Sequence, residues 1–134
     1  MDAHKDKALR RKYSSALMSN TKWLKFFTAL IKSETEFSAI EIGFTDTANV
    51  LLRNSSSIGH IWEDWFDDTL YGPIEYKHIE FIFIPSIYSY SDFENGPPKK
   101  KIQNIGVLIE LLEKSGKFPI RHVEGGIFVD GYVE

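Results

Sequence analysis

The sequence predicts an α+β domain: a mainly antiparallel sheet with N-terminal helices, and one further helix before a C-terminal β-hairpin. Three observations carry this. Apolar residues recur at helical spacing early in the chain, period-two runs fill its middle, and a glycine pair separates two apolar runs at its end. The chain has 134 residues, 43% apolar and 26% charged. That is the length and composition of a single globular domain over 1–134, with residues 1–18 expected as a loosely attached N-terminal helix.

In that first segment, Ala8, Leu9, Tyr13, Ala16 and Leu17 form only a partial stripe. Ser19-Asn20-Thr21 then offers capping oxygens. Trp23, Phe26, Phe27, Leu30 and Ile31 follow at i, i+3, i+4, i+7 and i+8, with Lys22, Lys25, Thr28 and Lys32 outside the stripe. This predicts a helix over 21–32 whose aromatics face the core. From 37 to 44 the period changes to two, with Ile40, Ile42 and Phe44 opposite Glu41 and Gly43. Thr45-Asp46-Thr47 supplies a turn and residues 50–53 a returning strand. A serine-rich loop (54–57), an extended stretch (58–62) and the dense run 63–68 come next, punctuated by Gly72-Pro73.

Residues 74–84 are the longest β-rich run. Ile79, Phe81 and Phe83 alternate with Glu80, Ile82 and Ile84, so both faces are apolar near its end, as in a central strand closed by Pro85. Residues 88–98 read as a loop. Pro97-Pro98 suits the first turn of a second helix over 99–114, with Ile102, Ile105, Leu108, Ile109 and Leu112 as its stripe and Ser115-Gly116 as its stop. Strands over 118–123 and 127–133 meet at Gly125-Gly126.

Composition narrows function by exclusion. The chain has no cysteine, which removes disulfide frameworks, thiolate metal sites and cysteine nucleophiles. Its apolar runs are far shorter than the roughly 20 residues of a spanning helix, and residues 1–33 lack the apolar core of a secretory signal. A soluble cytoplasmic protein is expected. No phosphate-binding glycine loop, no G-x-G-x-x-G and no G-x-S-x-G is present, so no catalytic residue and no cofactor is assigned.

Charge is strongly segregated. Residues 1–33 carry eight bases against Asp2 and Asp6, whereas 34–94 carry twelve acids against Arg53 and Lys77. The acidic middle either pairs with basic helices of the same chain or faces a basic partner. Within it, 62–76 interleaves Glu63, Asp64, Asp67, Asp68 and Glu75 with Trp62, Trp65, Phe66, Tyr71 and Tyr76. Aromatics make interface anchors and acids steer a basic partner. The candidate partner-binding residues are therefore Trp62, Glu63, Asp64, Trp65, Asp67, Asp68, Tyr71 and Glu75. The plainer alternative is that the aromatics are core and the acids solvate the other side.

Two further readings stand beside this one. His60, Asp64 and Asp68 lie at i, i+4 and i+8, and on a helix would join Glu63 or Asp67 in an oxygen-rich metal site or small hydrolytic centre. No recognised ligand signature accompanies them. The pairs His78/Glu80 and His122/Glu124 have a spacing that recurs by chance in any strand. The bases Lys5, Lys7, Arg10, Arg11, Lys12, Lys22 and Lys25 suit nucleic-acid phosphates, although the chain as a whole is acidic.

Ser19-Asn20-Thr21-Lys22-Trp23 and the later run Gly72-Pro73-Ile74-Glu75-Tyr76-Lys77-His78-Ile79-Glu80-Phe81 resemble a family of short bacterial proteins of unknown function. There a similar helix start precedes a G-P-I-x-Y-x-x-I-E-aromatic strand and a C-terminal hairpin. The resemblance covers residues 18–133 and implies no reaction. The overall profile, small, acidic, cysteine-free and aromatic-rich, is also similar to immunity proteins of bacterial toxin–immunity pairs. That likeness implies a cognate toxin domain as partner, often a basic nuclease, and no membrane.

Overall fold

A computed structural model describes residues 15–33, 36–91 and 94–133. The expected N-terminal helix lies mostly outside them. Its end is a strand instead: β1 (Ser15–Ala16) pairs antiparallel with β12 (Tyr132–Val133). Among the described residues two helices and twelve strands form an α+β fold in which every strand pair is antiparallel.

Helix α1 (Asn20–Lys32) starts where the sequence places it, with the Ser19 side chain accepting from the Lys22 N–H. Trp23, Phe26, Phe27 and Leu30 are buried. Ile31 is exposed and Ala29 is buried in its stead, because the buried face is rotated toward Phe26 and away from the Ile31 edge of the apolar stripe.

The main sheet has the order β10 (Ile120–Val123), β11 (Gly126–Asp130), β7 (Ile79–Pro85), β2 (Ile40–Phe44), β3 (Val50–Arg53). The long β-rich run thus ends in the central strand. It does not run unbroken from 74: β6 (Gly72–Glu75) belongs to another sheet, and a 3-10 turn (Tyr76–His78) redirects the chain before β7. Ile40, Ile42, Ile82, Ile84, Ile127 and Val129 form the covered face. Phe81, Phe83 and Phe128 line the opposite face with ring contacts of 5.4 and 4.6 Å, and the Arg121 guanidinium lies 4.3 Å above Phe128. Gly43 lets the Phe81 ring lie across its backbone, and a Cβ there would displace that ring.

A second sheet, β4 (Ile58–Ile61), β5 (Trp65–Asp68) and β6, packs on α1 through Phe66 and Tyr76. The helix therefore bridges two sheets instead of covering one. Phe27 makes the contact with the small sheet, its ring 4.4 Å from Phe66 and 5.8 Å from Tyr76, within the same buried cluster as the main-sheet isoleucines.

The expected helix over 99–114 opens as a strand, and only its part from Ile105 is helical. The start of the expected loop over 88–98 is strand: β8 (Ile87–Tyr90) pairs antiparallel with β9 (Lys99–Ile102), and Ile102 is 81% exposed. Helix α2 (Ile105–Ser115) begins only after Asn104, whose side chain accepts from the Val107 N–H and satisfies a free helix-start donor. The buried side chain of Gln103, between strand and helix, accepts from the Ala39 N–H (2.9 Å) and donates to the carbonyls of Ala39 (3.1 Å) and Pro85 (2.8 Å). We expect Gln103→Leu to lower stability by about 2–3 kcal/mol, because it strands those buried backbone groups. Urea denaturation at neutral pH measures this.

Candidate acidic and aromatic surface

Strand β5 is the middle of the small sheet and alternates cleanly. Phe66 and Asp68 point inward, while Trp65 is half-buried on the outward side and Asp67 is exposed. Register pairing sets Glu75 of β6 beside Trp65, and Pro73 beside Asp67. The turn from β4 to β5 closes with the Trp62 N–H donating to the Trp65 carbonyl at 2.8 Å. That turn brings the Trp62 and Trp65 rings to 5.5 Å, nearly parallel at 20°, and His60 packs 4.1 Å from Trp62. Trp62 is 46% exposed, and Glu63 and Asp64 beside it are exposed.

The turn is held from beneath. Tyr76, buried under the sheet, donates its phenolic O–H to the Trp62 carbonyl (2.8 Å), and its backbone N–H donates to the Asp64 carbonyl. Burial, and then the negative charge of Asp64, push this phenol above its ordinary range. Folding therefore favours the neutral phenol, so the contribution is complete below about pH 10 and is lost as pH rises beyond it. Tyr76→Phe is expected to cost about 1 kcal/mol at neutral pH and to flatten the loss of stability above pH ~10. Melting temperatures at pH 7 and pH 11 read both effects.

The eight candidate residues do not form one patch. Trp62, Glu63, Asp64, Trp65 and Glu75 cluster at one end, with Asp67 farther along the same outward face. Glu75 also meets Lys77 at 3.5 Å. Tyr71 sits at the opposite end, 58% exposed and stacked on Phe44 at 5.9 Å. There it borders two shallow clefts of about 230 and 350 Å³ that share Phe44 and Asp46.

Asp68 leaves the list. It is 1% exposed and faces inward, where its carboxylate accepts from Arg53 Nε (2.8 Å) and from the backbone N–H groups of Leu70 and Tyr71. Burial alone would raise its carboxyl. The hydrogen bonds from Arg53, Tyr71 and Leu70, together with the guanidinium charge, outweigh that and hold it below the usual range. Its work is to order the β5–β6 turn that carries Tyr71.

The metal reading loses its geometry for the same reason. Residues 58–68 form two antiparallel strands, so His60, Asp64 and Asp68 share no helical face. Among the described residues no group of three or more His, Asp or Glu side chains is placed to hold a metal ion, and no helix is long and apolar enough to cross a membrane. Sequence reasoning missed Arg53, whose acidic partner lies fifteen residues away and has no local signature. Compared with known protein families, curated proteins and solved structures, the chain gives no match.

Proposed function

We propose that the chain is a binding protein of the immunity type, which neutralises a basic toxin domain through the outward face of its small sheet. One observation carries this reading: a stacked Trp62–Trp65 pair, partly open to solvent and ringed by Glu63, Asp64, Asp67 and Glu75, stands on a buried base of Phe66, Ile74 and Tyr76. The rigid base holds the aromatics ready, so little ordering entropy is lost when a partner seats on them. The indoles fill a pocket in the partner, and the carboxylates meet its Lys and Arg side chains and raise the encounter rate. Asp68 takes no part, and Tyr71 forms a separate contact at the far end.

Co-expression with the protein encoded beside this chain, followed by co-purification, tests the reading. A basic toxin domain retained by the wild-type chain and released by Trp65→Ala supports it. A toxin retained equally by Trp65→Ala and by a Glu63, Asp64 and Asp67 reversal contradicts it. We expect Trp65→Ala to cost about 2 kcal/mol of affinity, chiefly through faster dissociation, as for an interface hot spot.

A further inference from the structure

The hairpin of β8 and β9 has a chemistry unlike that of the rest of the chain. Its register sets Tyr88 opposite Lys101 and Tyr90 opposite Lys99, so two tyrosines and two lysines share one face. The rings of Tyr88 and Tyr90 stack at 5.9 Å and 13°. Lys99, Lys100 and Lys101 are all exposed. The Lys101 ammonium donates to Ser38 Oγ at 3.2 Å, which leaves two of its three donors for another acceptor. The root of the hairpin is fixed, because the Gln103 N–H donates to the Ser86 carbonyl while the Gln103 side chain is buried in the body. Lysines on an exposed strand deter unwanted strand pairing, but that role does not call for two half-buried rings stacked in parallel on the same face.

We infer that this hairpin face binds single-stranded nucleic acid, with bases stacked on the Tyr88–Tyr90 pair and phosphates held by Lys99 and Lys101. Ring faces accept any base and lysines track the backbone, so recognition is independent of sequence. An anionic membrane fits less well. Ile87 and Ile102 are cross-strand partners at the root, on the face opposite the tyrosines, so no continuous apolar surface is offered to a bilayer. The site is separate from the acidic face and does not depend on the function proposed for it.

Fluorescence anisotropy of a labelled fifteen-residue oligothymidylate, titrated with the full chain, tests this. Binding should weaken with salt at a log–log slope of about −0.7 per phosphate neutralised. A K99E/K101E double variant should lower the affinity and make the slope shallower. Y88L/Y90L, which keeps apolar bulk at both positions, should lose roughly fivefold or more per stacked base with the slope unchanged. Y88F/Y90F should bind like the wild type, and a duplex of the same length should bind more weakly. The inference is overturned by an absence of binding at low salt, by binding that both the lysine and leucine variants leave intact, or by a duplex that binds as well as the single strand. Capture by anionic vesicles without capture of the oligonucleotide would equally overturn it.

Discussion

Truncating Phe27 to alanine is expected to destabilise the protein by about 3–5 kcal/mol, the range for a buried phenylalanine whose site cannot collapse. Phe27 has no exposed surface and touches rings on both sides: Trp23 and Phe26 on its own helix, Phe66 on the small sheet and Tyr76 in the turn after it. Each neighbour is tied to backbone that cannot follow a shrinking side chain. Phe66 sits in the middle strand of its sheet, and Tyr76 is pinned by its bond to the Trp62 carbonyl. The cavity should therefore persist, and the small sheet should loosen before the main one. Urea denaturation gives the total. Hydrogen exchange should show residues 58–75 losing protection ahead of β2, β7 and β11, and equal loss in both sheets would show that Phe27 does not anchor the small sheet in particular.

Replacing Asp68 with alanine is expected to cost about 3 kcal/mol, because a mostly buried Arg53 guanidinium is left without its counter-charge. Its side chain is 13% exposed, so water recovers little of the loss. The Leu70 and Tyr71 N–H groups lose their acceptor as well. The pH dependence follows from the depressed carboxyl. In the unfolded chain an aspartate titrates near pH ~3.9. The stabilisation is complete above that value and is lost as pH falls below it toward the lower folded pKa. Wild-type stability should thus drop below pH ~4, whereas Asp68→Asn should start lower and lack this group's share of the drop. Denaturation curves at pH 7 and pH 3 for both proteins check the size and the sign.

The helix over 20–32, the central strand and the C-terminal hairpin were legible because each depends on local pattern: a full apolar stripe, two apolar faces, a glycine turn. Gly125 adopts φ 89°, as such a turn requires. The β8–β9 hairpin was misread where two local signals competed. Pro97-Pro98 favours a helix start, yet Asn95-Gly96 just before it is a strong hairpin signal, and Asn95 takes a positive φ of 61°. Long-range anchoring by Gln103 to Ala39 and Pro85 favours the strand and delays the helix to Asn104. At the acidic surface, composition singled out the segment over 62–76 but not which of its carboxylates face out. The period-two alternation of β5 separates Asp67 from Asp68, and that separation requires knowing where the strand begins. The Arg53–Asp68 pair is a contact between two sheets and has no trace in local sequence.

We propose that the outward face of the small sheet receives a basic partner. Stopped-flow or surface-based kinetics of the chain with that toxin domain tests it most directly, comparing the wild type with an E63K/D64K/D67K variant at low and high salt. All three positions are exposed, so the fold should be unchanged and far-ultraviolet circular dichroism should show it. Association of the variant should be at least about tenfold slower at low salt, with most of its salt dependence gone and dissociation little altered. A triple variant that associates at the wild-type rate with the wild-type salt dependence would contradict it.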